Sequence, residues 1–471
     1  MSDLTPTPFT GVDIAVRVDE LAGGLRDAGV DPGDVVCWQA PNRAEVVCLY
    51  RACWRIGAIA APIHHAMGAD DTAALVARLS PRLQLAWSDV PMRAFAGTRD
   101  LTSVVGGTAI DDPWTDPSAL AAVLFTSGSS GAPKGVLHTQ RSLAYKARAM
   151  VAVHGLTRDD AVLMPAPLAH ISGLLNGITL PGVVPFKSVL MSRWDPSAAL
   201  ELIERERITF MIGPPTFFVS LMSDPGFSPE RVASLRLVSS GGAGVTEAFV
   251  DEASARLGCV VKRTYGSTEA PTVATSRPED DRADARRHDG RAIGSVRFRV
   301  TDPETDEERA PGAAGELCVQ GPELFSGYLD AEATEAAVHD GWFRTGDLAT
   351  VDAHGWLEIV GRIKDVIIRG GENISASEVE SVLERHPAVA QAVAVGYPDR
   401  LMGERVCAFV VLGNALALDL DAIREWFAAE GVTRFKTPEQ VVVVDAFPLL
   451  ATGKPDRGAL RAEATARFAS A

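Results

Sequence analysis

The chain has 471 residues, 46% hydrophobic and 23% charged, the proportions of a soluble globular protein that is too long for one core. Its net charge of −16 argues against a broad nucleic-acid or anionic-membrane surface, so a polyphosphate would have to be held by local groups. Its 6 cysteines form no C-x-x-C pair and no Cys/His cluster, which argues against a structural zinc or a disulfide framework and fits free thiols in a reducing cytoplasm.

The first residues, MSDLTPTPFTG, lack the cationic start and apolar core of a signal peptide. Arg51, Arg55, Pro181 and Pro185 break the longest apolar stretches, so a cytoplasmic protein with no membrane partner is expected. Ile14, Val18, Leu21, Leu25 and Ala28 recur at helical spacing, which predicts a helix over 13–28, followed by a strand over 34–38. The same alternation recurs as helix 44–56, helix 196–207 with strand 208–212, and helix 246–257 with strand 260–261. Such a succession predicts a layered α/β body with mostly parallel strands.

Between these elements, the apolar run 121–125 empties into TSGSSGAPKG at 126–135. Backbone N–H groups, hydroxyls and one ammonium in so short a space suit a phosphate. Neither familiar glycine-rich fingerprint applies. Lys134 is followed by Gly135 instead of Ser or Thr, and Gly242-Ala243-Gly244 lacks the third glycine of G-x-G-x-x-G. A flexible Ser/Gly linker is the competing reading, and the apolar residues on both sides count against it.

Residues 277–291 hold 5 acidic and 5 basic residues and almost nothing apolar, which predicts a solvated surface loop. Strand signals at 315–321 and 354–360 then mark a β-rich subdomain near 292–361. After 361 the pattern reads strand, Gly370-Gly371 turn, helix and strand. Ser375 and Glu378 stand at capping-box spacing, and Val379, Val382, Leu383 and His386 share one helical face. With strand 405–412, helix 420–429 and strand 440–444, this predicts a small α+β domain over 362–471 behind an N-terminal domain over 1–361.

Five segments carry a resemblance. TSGSSGAPKGV at 126–136, YGSTEA at 265–270, FRTGDLA at 343–349, GRIKDVIIRGGENISASEVE at 361–380 and TGKPDRGAL at 452–460 resemble, in order, the core motifs of the adenylate-forming superfamily. That superfamily comprises acyl-CoA synthetases, peptide-synthetase adenylation domains and luciferases. The resemblance implies ATP, Mg2+ and coenzyme A as cosubstrates and cofactor, a small-molecule carboxylic acid as substrate, and a monomer or homodimer that binds no nucleic acid.

The residue roles follow from the same resemblance. Thr126, Ser127, Gly128, Ser129, Ser130, Gly131 and Lys134 match the loop that wraps the β- and γ-phosphates. Tyr265 and Gly266 match the adenine platform, with Gly242 and Ala243 on the nucleotide side. Thr268 matches the α-phosphate donor, and Glu269 the magnesium ligand, an oxygen donor suited to a hard cation. Asp347 matches the acceptor for both ribose hydroxyls. Arg362 matches a further ribose or phosphate contact, and Lys454 the catalytic lysine between carboxylate and α-phosphate. Lys364 occupies the hinge position, Gly370 and Gly371 the pantetheine channel, and His170 the gate on the carboxylate side.

Segments 169–177, 211–218 and 239–244, which include Phe217 and Phe218, would wall the acyl pocket. None contains Lys or Arg, so an apolar monocarboxylic acid fits best: medium-chain, branched, alicyclic or aromatic. The loop at 370–373 resembles the CoA-ligase branch more than the peptide-synthetase branch. Loading of a carrier-protein phosphopantetheine and a non-catalytic acyl or nucleotide binding module stay open as alternatives. The segment before 124 is shorter than is usual in the family, which bears on pocket size and on dimer contacts.

Overall fold

The computed structural model describes residues 9–87, 98–108, 110, 112–126, 133–370, 372–413, 418–450 and 454–469. Two compact units divide the chain. The first comprises Met1–Val245, Phe249–Arg297 and Gln320–Phe343, the second Thr246–Ala248, Phe298–Val319 and Arg344–Ala471.

The first unit is built on two sheets. In one, Leu83–Ala86, Val35–Gln39, Ile59–Ile63 and Leu120–Thr126 are parallel neighbours, and Lys134–Thr139 and Gly327–Tyr328 continue it antiparallel. Parallel pairing needs a crossover, which the helix Ala44–Arg55 supplies between its flanking strands. The run Ala121–Phe125 is buried along its whole length, as a strand covered on both faces must be. In the other sheet, Lys187–Leu190, Ala161–Met164, Phe210–Gly213, Leu237–Gly241 and Val260–Tyr265 run parallel, followed by the antiparallel pieces Ala274–Thr275 and Gly290–Ala292. Helices Pro196–Glu206 and Pro215–Ser223 pack Leu200, Ile203, Phe218 and Leu221 into its core.

The predicted helices and strands form within a few residues of their expected places, and the shifts have local causes. The first helix starts at Gly11, because Thr10 Oγ1 accepts the Asp13 N–H while Asp13 Oδ2 accepts the Thr10 N–H. Residues 277–291 depart further from expectation. They contain the helix Arg282–Arg287, and their charges pair inward: Arg263 with Asp289 at 3.0 Å, both side chains near 10% exposed, and Arg291 with Asp280 at 3.0 Å. A balanced count of charges cannot distinguish paired from solvated ones.

The second unit holds most of the strands Arg297–Thr301, Gly315–Gln320 and Trp342–Val351 and all of Trp356–Arg362, which are successive neighbours. It also holds a five-stranded sheet in which Glu372–Ser375, Val366–Arg369, Gly403–Leu412 and Val389–Asp399 pair antiparallel, and Gln440–Val443 runs parallel to Gly403–Leu412. The helix Ala376–Glu384 buries Val379, Val382 and Leu383 of the predicted face, while His386, expected on the same face, lies beyond the helix end, edge-on to Trp426. Ser375 Oγ accepts the Glu378 N–H at 3.4 Å, while the Glu378 carboxylate accepts from Lys436 Nζ at 2.6 Å. The protein is thus α/β, with a large N-terminal α/β portion and a smaller C-terminal α+β portion. The expected boundary at 361/362 falls inside the second unit, where the strand Trp356–Arg362 meets the turn Ile363–Asp365.

All 6 cysteines are free thiols, five of them buried. Burial pushes Cys37 and Cys259 up to about 12. Burial leaves both thiols protonated and inert, Cys37 within the core and Cys259 packed against its edge.

Candidate active site

Within the first unit, the ladder between Leu120–Thr126 and Lys134–Thr139 sets Thr126 opposite Lys134. Ser127, Gly128, Ser129, Ser130 and Gly131 lie outside the described residues. Lys134 Nζ stands 4.8 Å from the centre of the Tyr328 ring. Tyr328 donates its hydroxyl to Glu269 Oε1 at 2.8 Å. Burial, and then the Glu269 charge, hold the phenol well above its ordinary pKa, so it stays a proton donor.

The YGSTEA segment follows the strand Val260–Tyr265, with Tyr265 half-buried at its end. Gly266 is required by space, because a Cβ there would collide with the backbone nitrogen of Thr272. Ser267 and Ala270 close the turn through hydrogen bonds of 3.0 and 3.1 Å. The Thr268 carbonyl accepts from His138 Nε2 at 2.9 Å. That bond fixes the proton on Nε2, and burial pushes the imidazole down to about 4, so His138 is neutral. Glu269 contributes its carbonyl as well, to the Phe325 N–H at 2.8 Å.

Gly242 and Ala243 follow the strand Leu237–Gly241, which is the parallel neighbour of Val260–Tyr265 with Gly241 opposite Thr264. Gly242 takes φ +79°, a conformation that favours glycine. Gly242, Ala243 and Tyr265 therefore share the carboxyl edge of the sheet, the edge at which open parallel sheets receive ligands.

The segment before His170 is pinned from beneath. Asn42 donates to the Ala166 carbonyl at 2.8 Å and accepts the Leu168 N–H at 2.7 Å, and Tyr50 donates to the Leu168 carbonyl at 2.8 Å. The His170 ring lies 5.2 Å from that of His64, which stacks on His65 at 4.6 Å. Burial, then the neighbouring His170 and His65, push His64 down to about 4. Of the two phenylalanines expected to wall the acyl pocket, Phe218 is fully buried in the core beside Phe249. Only Phe217 is half-exposed, stacked on Trp194 at 4.5 Å. Adjacent helical residues point about 100° apart, so one of the pair had to face the core.

None of these residues lines the cavity of about 280 Å³ bounded by Arg17, Arg43, Cys48, Trp87 and Asp100.

The second unit carries the remaining expected residues. The hairpin registers Asp347 with Arg362, and Arg362 Nε lies 3.0 Å from Asp347 Oδ1. The buried Glu316 accepts from Arg344 Nε at 2.7 Å and from the Gly346 N–H at 3.1 Å, while Thr345 Oγ1 accepts the Asp347 N–H at 3.1 Å. Lys454 is half-buried near both Asp347 and Arg362. Burial, then the Arg362 charge, push its ammonium down to about 8 against the opposing pull of Asp347. Its backbone is held by Leu450 N–H to Lys454 carbonyl at 2.8 Å and by the Leu449–Pro455 bridge.

Three residues further on, Arg457 donates to both Glu380 oxygens at 2.6 and 2.7 Å and to the Ala394 carbonyl at 3.0 Å. It also stands 4.0 Å from Asp365, in the turn that presents Lys364 exposed. Gly370 donates its N–H to the Met402 carbonyl at 2.7 Å, and Gly371 lies outside the described residues.

Sequence reasoning missed Tyr328, His138, Glu316 and Arg457. Strand alternation could have found His138, which shares the buried face of its strand with Val136. Nothing in the spacing marks Tyr328 as a partner of Glu269, because the contact spans 59 residues. Among the described residues, no group of three or more His, Cys, Asp or Glu could hold a metal. Glu269 offers one carboxylate oriented by a phenol, a donor set that fits a magnesium held mostly by phosphate oxygens and water.

The sequence profile of the AMP-binding enzymes matches residues 6–329, and that of the AMP-binding enzyme C-terminal domain matches 378–454. A medium-chain fatty-acid–CoA ligase of Escherichia coli is 32% identical over 95% of this chain and 84% of its own length. A feruloyl-CoA synthase of Amycolatopsis is 34% identical over 97% and 94%. The crystal structure of ATP-bound MatB from Rhodopseudomonas palustris superposes with a TM-score of 0.89 at 28% identity, over 96% of this chain and 93% of that one. Among the described residues, no helix is long and apolar enough to cross a membrane. The chain belongs to the adenylate-forming AMP-binding enzymes, and within them it is an acyl-CoA synthetase, an AMP-forming acid–thiol ligase that uses ATP and CoA.

Proposed function

We propose that this ligase activates an apolar monocarboxylic acid, medium-chain, branched, alicyclic or aromatic. The carboxylate attacks the α-phosphorus of ATP, the bond to pyrophosphate breaks, and the acyl-adenylate forms; the CoA thiol then attacks its carbonyl carbon, giving acyl-CoA and AMP. The observation that carries the acid class is the character of 169–177, 211–218 and 239–244. They hold no Lys or Arg to pair a second carboxylate, and Phe217 on Trp194 offers an aromatic face.

In this reading Thr126, Lys134 and the hydroxyl-rich residues 127–131 hold the β- and γ-phosphates. Thr268 donates to the α-phosphate, and Tyr265 with Gly242, Ala243 and Gly266 receives adenine. Asp347 accepts the ribose hydroxyls, and Arg362 adds a positive charge. Glu269 would bind magnesium, whose chemistry is to neutralise charge on the leaving pyrophosphate. Lys454 lends its ammonium where charge accumulates at the phosphorus in the transition state. His170 borders the carboxylate. The exposed position of Lys364 in a short turn supports a hinge there, between domains 1–361 and 362–471, with Gly370 and Gly371 beside the pantetheine arm for the second half-reaction.

The test is pyrophosphate release over a panel of carboxylic acids, with and without CoA, with thioester detected by mass. Octanoate, a branched acid and an aryl acid should give acyl-CoA, and dicarboxylates of equal length should not. Turnover confined to dicarboxylates would overturn the acid class, and pyrophosphate release without thioester would favour a carrier-protein acceptor.

A further inference from the structure

Segment 325–329 does more than connect two strands. Phe325 N–H donates to the Glu269 carbonyl, Ser326 N–H to the Leu137 carbonyl and Leu329 N–H to the Gly135 carbonyl, each at 2.8 Å. Gly327 and Tyr328 pair antiparallel with Leu137 and Val136. One short stretch is therefore bonded both to the strand that begins at Lys134 and to the segment that carries Glu269. Tyr328 stands at its centre, 8% exposed, wedged edge-on against Phe325 with ring centroids 4.9 Å apart. Its N–H is satisfied by Thr334 Oγ1 at 2.8 Å, so the residue is fixed at both backbone and ring.

From this fixed position the side chain serves two functional groups. Its hydroxyl donates to Glu269 Oε1, and its ring face lies under the Lys134 ammonium. Each contact leaves its partner usable. A carboxylate has about four lone-pair sites and surrenders one here, and an ammonium over a ring keeps N–H bonds for a phosphate. A loose Glu side chain would have to be ordered when metal arrives, whereas one already held by a phenol would not. The aromatic face likewise restrains a long lysine side chain that would otherwise sample many rotamers.

We propose that Tyr328 is the positioning residue of the triphosphate end of the site. It presets the Glu269 carboxylate for the metal through its hydroxyl, and the Lys134 ammonium for phosphate through its ring. The proposal rests on the nucleotide reading of Lys134 and Glu269 given above.

The experiment measures direct binding of a non-hydrolysable ATP analogue by calorimetry, with magnesium and with EDTA, together with the thermal midpoint. Tyr328→Phe keeps the ring and removes only the hydroxyl. It should weaken binding in magnesium about fivefold to tenfold, leave binding in EDTA within twofold, and raise KM for Mg-ATP with kcat within about twofold. Tyr328→Leu removes the ring as well and should weaken binding in EDTA too, by about threefold or more. Equal binding by Tyr328→Phe and wild type in magnesium overturns the proposal. So does a uniform loss in magnesium and EDTA accompanied by a lowered thermal midpoint, the signature of a merely structural residue. Wild type that binds no analogue under either condition would instead sink the nucleotide reading of these residues, and this proposal with it.

Discussion

The residues assigned to ATP divide into two groups that are held in opposite ways. In the first unit, Glu269, Thr268 and Lys134 are each braced by a different kind of partner: a phenol hydroxyl, a neutral histidine and an aromatic face. In the second, Asp347 and the half-exposed Arg362 form an ion pair, and Lys454 feels the charge of both. Neutral bracing fixes the geometry of a group through hydrogen bonds and an aromatic contact. Charge bracing makes the proton affinity of Lys454 depend on both neighbours, Arg362 lowering it and Asp347 raising it. In the reading proposed above, the first group binds and the second responds to the charge of what is bound.

Removing one member of the charge-braced group should give the largest effect. Lys454→Ala is expected to slow adenylation by on the order of 10²- to 10³-fold while leaving thioester formation from supplied acyl-adenylate within about threefold. Measuring the two half-reactions separately checks this, and equal losses in both would break the distinction.

A second effect is in pH. With Lys454 held down to about 8, the protonated form is lost as pH rises through about 8, so kcat/KM for adenylation should fall on the alkaline side. Lys454→Arg should abolish that limb. Because Arg362 lowers the lysine and Asp347 raises it, Arg362→Met should move the limb to higher pH and Asp347→Asn to lower pH. Limbs that do not move in opposite directions would mean that the three residues are not electrostatically coupled.

The neutral bracing should show in stability instead. His138 is pushed down to about 4 in the folded protein from an ordinary 6.5, so the folded state binds fewer protons between those values. Its contribution is complete above about pH 6.5 and declines as pH falls toward 4, by about 2 kcal/mol at pH 5. His138→Gln can still donate to the Thr268 carbonyl and does not titrate, so urea unfolding of that variant should show a smaller drop between pH 7 and pH 5. His64, also held near 4, supplies a similar acid sensitivity that the variant keeps.

The smallest effect tests packing beside the site. Phe217→Leu should change the preference between aryl and alkyl acids by a fewfold without altering KM for ATP, whereas Phe218→Ala should destabilise the fold by about 3–5 kcal/mol. Competition between two acids and denaturant titration separate the two neighbours.

How much of this was legible in the sequence depended on the range of the interactions. Local periodicity placed the helices Ala44–Arg55 and Leu420–Ala429 almost to the residue, because an apolar face repeats along the helix itself. Motif order named the groups proposed to touch ATP. The contacts that hold Glu269 and Thr268 could not be read, because Tyr328 reaches Glu269 across 59 residues and His138, though its burial follows from strand alternation, reaches Thr268 across 130; the Arg457–Glu380 pair likewise spans 77. Phe217 and Phe218 look alike in sequence, and only packing tells the core residue from the exposed one.

The most direct test of the division between binding and response compares Glu269→Gln with Lys454→Ala, measuring the affinity for Mg-ATP and the single-turnover rate of acyl-adenylate formation on the same preparations. Glu269→Gln should lose affinity and rate together, while Lys454→Ala should keep affinity within about threefold of wild type and lose the rate. If Lys454→Ala loses affinity in proportion to rate, the lysine is a ground-state phosphate ligand, and the contrast between the two groups is contradicted.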